Sequence, residues 1–310
     1  RGIVTAISGN SLSVAGATYL YYAGYCVSNL CYTYVPTATV NVGSSTLVTQ
    51  DNVAASGLST QAISVGSQID AVGLGPTTAS GTLTLDATKG LIRLQPTPIW
   101  GALNSGTAGS ATLTLQSMGT TDFPASDINF AGTGTASAND ATAASYVVNT
   151  GTIDESATAA GTLLRMDGFP TPYGSAPPDF DATAVTAATS EPSNLIIEFS
   201  NGSGTTAPFT SYDSTSLALN LANATTAEVV TGPQTTQLTG TPAITISGGN
   251  QFAIGNSKNG VSSFSTPSGF ASDLTSTLNG STSVYRVVAI GSYDASTNTF
   301  TASRVDVALE

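Results

Sequence analysis

Ile69-Asp70-Ala71-Val72-Gly73 followed by Leu85-Asp86-Ala87-Thr88, Leu164-Arg165-Met166-Asp167-Gly168 followed by Phe180-Asp181-Ala182-Thr183, and Val287-Val288-Ala289-Ile290-Gly291 followed by Phe300-Thr301-Ala302-Ser303 are three versions of one pattern. Each is a largely apolar run ending in glycine, then a variable turn, then an apolar residue, a polar residue and alanine. Glycine to alanine spans 14 residues in the first two copies and 11 in the third. Upstream, Gly66 and Gly161 each stand seven residues before the glycine of their copy, and Gly280 stands eleven before Gly291. The run before the glycine and the run carrying the alanine read as a hairpin. Glycine there permits a bulge or a close approach, and alanine lets a facing sheet come near. Recurrence at roughly a hundred residues points to scaffolding before chemistry.

The chain around these hairpins reads the same way. Leu12-Ser13-Val14, Thr82-Leu83-Thr84-Leu85, Thr112-Leu113-Thr114-Leu115, Ala243-Ile244-Thr245-Ile246 and Arg304-Val305-Asp306-Val307 alternate apolar with polar residues, the period-two signature of strands. Gly9-Asn10, Asn201-Gly202, Gly248-Gly249-Asn250 and Asn279-Gly280 supply turns. Helix is expected only in two short segments, residues 220–230 and 270–278. The prediction is an all-β chain with little helix, made of tandem small β-barrel or sandwich units. The expected units are residues 1–95, 96–190 and a divergent 191–310. The first boundary falls on Gln95-Pro96-Thr97-Pro98, where two prolines oppose a continuing strand. The second falls near Glu191-Pro192-Ser193.

At 310 residues the chain can build two or three cores. It is 40% hydrophobic and only 8% charged, against about 25% charged in an average protein, which excludes a solvated disordered polymer. Seven Lys and Arg against nineteen Asp and Glu leave a net charge of −12. No basic face can be assembled to neutralise phosphates, so nucleic acid is excluded as a partner and an anionic membrane surface is disfavoured. No run approaches the roughly 18 apolar residues of a membrane span. No charged segment with an apolar core opens the chain, so no signal peptide is read. Arg1-Gly2-Ile3-Val4-Thr5-Ala6-Ile7 is already strand-like and lacks Met, which suggests a processed product or a missing leader. An extracellular or cell-surface location is inferred, and scarce Lys and Arg would limit trypsin-like cleavage there.

Histidine is absent, which removes histidine-based nucleophile pairs and the common zinc sites. No G-x-S-x-G elbow, phosphate loop or dinucleotide fingerprint is present. Asp179 with Asp181, Asp154 with Glu155, and Asp122 with Asp127 are the carboxylate pairs that a glycosidase would need. The first pair, two apart on a strand, would share a face. The simpler reading is solvated faces and turn caps, so no catalytic residue, metal ligand or cofactor is expected. Calcium, bound by loop oxygens, is the alternative, but the chain has no D-x-[DN]-x-[DN]-G loop. The sequons at Asn201, Asn223 and Asn279 leave glycosylation dependent on the host.

Cys26 and Cys31 enclose four residues, a spacing that suits a disulfide across a hairpin loop; two buried thiols are the alternative. A disulfide would favour an oxidising compartment. Around them Tyr19, Tyr21, Tyr22, Tyr25, Tyr32 and Tyr34 place six of the eleven tyrosines within sixteen residues. This reads either as a well-packed hairpin or as an aromatic contact surface for another subunit or for sugar rings.

The opening Gly2-Ile3-Val4-Thr5-Ala6-Ile7-Ser8-Gly9-Asn10-Ser11-Leu12-Ser13-Val14, the step Val65-Gly66-Ser67-Gln68-Ile69 and the closing hairpin ending in alanine resemble a bacterial secreted small β-barrel repeat family of unknown function. The segment Asp167-Gly168-Phe169-Pro170-Thr171-Pro172-Tyr173-Gly174-Ser175-Ala176-Pro177-Pro178-Asp179-Phe180 also resembles secreted proteins carrying such repeats. The resemblance covers about half of the chain. It implies an OB-like barrel and export to the envelope or beyond, and it transfers no catalytic residue.

Together these readings predict a non-enzymatic extracellular structural protein, a self-assembling subunit of a surface filament or coat. Terminal strands are the candidate exchange elements, through Ile3, Val4 and Ile7 at one end and Val305, Val307 and Leu309 at the other. The alternative is an envelope-attached module that binds glycan or a surface protein through the tyrosine hairpin.

Overall fold

The computed structural model describes residues 1–22, 30–51, 57–79, 82–199, 208–256, 260–278 and 282–310. They divide into two compact units, Arg1–Ala187 and Ala188–Glu310.

The first unit opens with β1 (Gly2–Ser8), β2 (Ser11–Tyr22), β3 (Leu30–Asn41), β4 (Leu47–Gln50), β5 (Gln68–Ala79) and β6 (Thr82–Gln95). β1, β2 and β3 form an antiparallel meander; β5 pairs with β1, β6 with β5, and β6 returns to β3 in parallel. This closes a five-strand ring, which leaves the ring itself without free edges. β4 adds to β6 outside it. Alternation along the strands turns Val4, Leu12, Val14, Val40, Ile69 and Ile92 inward as one buried cluster.

A second ring follows from β7 (Thr97–Met118), β8 (Phe123–Pro124), β9 (Tyr146–Asp154), β10 (Leu163–Pro170) and β11 (Phe180–Ala187). β7 folds back on itself near Gly109, whose φ is +82°. Across the fold, the Gly119 N–H donates to the Pro98 carbonyl and the Thr114 hydroxyl to the Asn104 side-chain oxygen. Its two arms serve as two strands. β9 pairs with the second arm, β11 runs parallel to β9, and β10 joins β11 to the first arm. The circular order matches that of the first ring. Pro98 sits inside β7, so the prolines at 96 and 98 interrupt the strand for only one residue.

Ile3, Ala15 and Val65 of the first barrel share a buried cluster with Ile99, Leu113, Met118, Tyr146 and Phe180 of the second. Phe169 on β10 packs against the core of the first barrel. The two barrels are therefore one body.

The unit Ala188–Glu310 contains β12 (Ser193–Phe199), β13 (Phe209–Tyr212), β14 (Ser216–Leu219), β15 (Ala224–Thr231), β16 (Gln234–Gln237), β17 (Ala243–Asn256), β18 (Gly260–Phe264), α1 (Pro267–Thr277), β19 (Val284–Asp294) and β20 (Thr299–Leu309). The strand order is β13-β14-β17-β20-β19-β12-β15-β16, with β18 on β17. β17 and β20 are parallel, as are the third and last strands of each of the two barrels of the first unit. α1 covers the helix expected over 270–278. Thr266 caps it by accepting the Gly269 N–H, Pro267 starts it, and Phe270 and Leu274 are its buried residues.

The helix expected over residues 220–230 is not formed. The Asn220 side chain accepts the Ala222 N–H and turns the chain, and β15 then pairs with β12 from Ala224 onward. β-branched Thr225, Thr226, Val229 and Val230 favour the ladder, and Asn competes for the backbone at its start.

Candidate functional site

The recurrent hairpins share one geometry. A Cβ on Gly73, Gly168 or Gly291 would overlap the backbone carbonyl oxygen of Asp86, Asp181 or Thr301 respectively. In each hairpin the register shifts at or beside the glycine. Glycine is required here by close approach, and the bulge is the feature that recurs. Ala87 and Ala302 beyond it are fully buried, and Ala182 is half-buried.

The polar residue before each alanine serves this geometry through its carbonyl, with its side chain elsewhere. Asp86 accepts the N–H and hydroxyl of Thr88 at 2.9 and 2.7 Å. Those hydrogen bonds, the hydroxyl first, hold its carboxyl below the usual range. Asp181 accepts the Asn149 amide at 2.8 Å.

Two further matches tie the first two barrels together. Gly66 and Gly161 have φ of +87° and +86°. Gly66 N–H donates to the Val4 carbonyl and Val4 N–H to the Ser67 carbonyl; Gly161 and Thr162 make the same pair of bonds with Leu103. Gly280 lies outside the described residues. Gly2 and Gly101 form an equivalence that the sequence reading missed. A Cβ on Gly2 would press on Val14 and the Ala15 carbonyl, and one on Gly101 on Leu113 and the Thr114 carbonyl. Its only sequence signal is a glycine followed by two apolar residues, Gly2-Ile3-Val4 and Gly101-Ala102-Leu103.

The carboxylates suggested as pairs lie in different surroundings. Asp179 is buried and accepts the Val147 N–H at 2.8 Å, and desolvation raises its pKa. Asp181, two residues on, is exposed. Asp122, held at φ +49°, has its carboxyl raised by burial against the opposing pull of Arg165. Asp127 accepts the Ser126 hydroxyl. Asp154 caps the Ser156 N–H, and Glu155 accepts the Thr158 hydroxyl. Between the first and second barrels lies a groove of about 470 Å³, lined in part by Leu58, Leu94, Phe169, Pro170, Asp51 and Asp181.

The tyrosine cluster falls on a two-stranded ribbon. The register sets Thr18 opposite Tyr34, Tyr19 opposite Thr33, Leu20 opposite Tyr32, Tyr21 opposite Cys31 and Tyr22 opposite Leu30. β1 follows β2 only to Thr18, which exchanges backbone bonds with Arg1, while β6 joins β3 only over Ala38–Asn41. Among the described residues, Tyr19–Tyr22 and Leu30–Thr33 therefore have one ladder partner, each other. Tyr34 is 67% exposed. Tyr25 and Cys26 lie outside the described residues, and so does the expected Cys26–Cys31 bridge. Of the sequons, Asn223 is exposed before β15, while Asn201 and Asn279 are outside the described residues.

The candidate exchange strands lie inside their own sheets. β1 runs between β2 and β5 with Ile3 and Val4 buried and Ile7 partly so. β20 runs between β17 and β19 with Val305, Val307 and Leu309 buried. Exchange between copies would require each strand to leave a ladder that its own chain supplies.

No protein-family model, curated protein or solved structure matches the chain.

Proposed function

We propose that the protein is a non-enzymatic extracellular structural protein, a self-associating subunit of a cell-surface filament or coat, with the β2–β3 ribbon as a contact surface. The ribbon's outer edges, which have no ladder partner among the described residues, carry this reading. A two-stranded ribbon is marginal in water by itself, and open backbone donors and acceptors are a template for another strand. Tyrosine adds contact area with an apolar ring and a polar tip, the composition of interface cores. Edge addition leaves β1 and β20 in their own ladders, which favours it over terminal-strand exchange.

Light scattering of the full chain and of the double variant Tyr32→Ser/Tyr34→Ser tests the reading. The expected result is a wild-type mass above 30.9 kDa that rises with concentration, and a variant shifted toward the monomer. A wild type that stays at 30.9 kDa at every concentration would overturn the polymer.

A further inference from the structure

The first two barrels have the same skeleton, so positions in one have counterparts in the other. The matched glycines 66 with 161 and 73 with 168 set an offset of 95 residues for the later strands; Gly2 with Gly101 and Val4 with Leu103 set one of 99 for the first hairpin. Phe169 then corresponds to Leu74, Met118 to Tyr19, and Ser64-Val65-Gly66 to Ala159-Ala160-Gly161.

One joint between these positions is built within the chain. Gly66 of the first barrel lies under Met118 and Pro170 of the second, so closely that a Cβ there would overlap the Met118 methyl group. Val65 is buried in the same cluster as Met118, and Phe169 packs on the first barrel's core. The complementary halves are exposed. Leu74 is 74% exposed and Val72 beside it 61%. On the second barrel, Ala159, Ala160 and Gly161 are all exposed, with no atom within 4 Å of a Cβ built on Gly161. The third hairpin carries a polar residue, Ser292, where the first two carry Leu74 and Phe169.

We propose that these two halves meet between copies. The Leu74 face of one copy's first barrel seats on the Ala159-Ala160-Gly161 loop of another copy's second barrel, repeating the internal joint head to tail. The inference rests on the self-association reading above and supplies its contact. The internal joint is the template: Phe169, which follows the bulge glycine, packs on the core of the partner barrel, while Met118 and the adjoining Pro170 lie over the positive-φ Gly66. Alanines in place of Ser64 and Val65 keep the receiving loop small and apolar. Such a joint uses two different surfaces, so it need not close and can propagate.

The test mixes two full-length variants, Leu74→Cys and Ala160→Cys, under mild oxidation, with each variant alone and the wild type as controls for Cys26 and Cys31. The expected result is a covalent dimer in the mixture at least tenfold above all three controls. Leu74→Asp and Ala160→Asp should each raise the concentration for half-assembly at least tenfold without shifting the melting temperature. A wild type that associates by light scattering while the mixture gives no dimer above the controls would overturn the joint and leave self-association standing. Leu74→Cys dimerising by itself as strongly as the mixture would also overturn it, because that is a two-fold contact. A monomeric wild type would overturn both readings.

Discussion

The first and second barrels share a skeleton and differ in what covers it. After Gly73 the chain presents Leu74 to solvent; after Gly168 it presents Phe169 to a neighbouring barrel. Before β5 the tripeptide Ser64-Val65-Gly66 is buried, whereas Ala159-Ala160-Gly161 before β10 is exposed. Charge is exchanged as well. Asp70 on β5, paired with Arg1, has Arg165 as its counterpart on β10, paired with Asp167. The close approach at the glycine sets the backbone in both barrels, while the side chains around it follow the neighbour. Shared geometry marks what each barrel needs for itself, and unshared exposure marks where the surroundings of the two barrels differ.

Disrupting the shared backbone approach should destabilise the protein most. Gly168→Ala and Gly73→Ala force a Cβ into a carbonyl oxygen, and each should cost about 3 kcal/mol in urea unfolding. Gly75→Ala, with nothing among the described residues within 4 Å of the new Cβ, should stay within about 0.5 kcal/mol of wild type. Equal losses at Gly73 and Gly75 would remove close approach as the reason for the recurrent glycine.

The residues after the two glycines should differ in what their loss costs. Phe169→Ala should cost about 2 kcal/mol, less than a fully buried phenylalanine because the ring is only partly covered, while Leu74→Ala should cost about 0.5 kcal/mol or less. Urea midpoints of the two variants check the contrast.

Smaller still are the charge effects, which carry opposite signs. The Arg1 guanidinium, first by hydrogen bond, holds the Asp70 carboxyl below its ordinary value of 3.8. That stabilisation is present above pH 3.8 and is lost as the pH falls through the lower folded-state value. Asp70→Asn should therefore lower stability at pH 7, by less than about 1 kcal/mol because Arg1 is largely exposed, and the difference should shrink as the pH falls through the lowered folded-state value. Burial raises Asp179 instead. Its favourable contribution is present below the ordinary 3.8 and lost as the pH rises through the folded-state value. Asp179→Asn should then raise stability at pH 7 and converge with wild type near pH 3. Thermal melts across this pH range read both signs.

The hairpins were legible in the sequence because close approach of two backbones leaves one residue type available at the glycine and a small one beside it. The same physics acts at Gly2 and Gly101, yet the strands that follow share little more than apolar character, so the match emerges only when the contacts with Val14 and Leu113 are seen. Residues 220–230 misled because alanines and leucine around Asn220 suggest helix, whereas pairing with β12 decides the outcome. The tyrosine cluster was visible as composition. Its register was not, because pairing of β2 with β3 depends on where β1 and β6 stop. The joint at Gly66 was invisible as well: nothing local distinguishes Val65 from Ala160 until a second barrel covers one of them.

The proposed self-association places further copies of the chain on exposed surfaces of this scaffold. Electron microscopy of the purified full chain, imaged over a concentration series, tests it most directly. The expected result is linear or sheet-like assemblies with a regular repeat, lengthening as concentration rises. Dispersed single particles of 30.9 kDa at every concentration would contradict it.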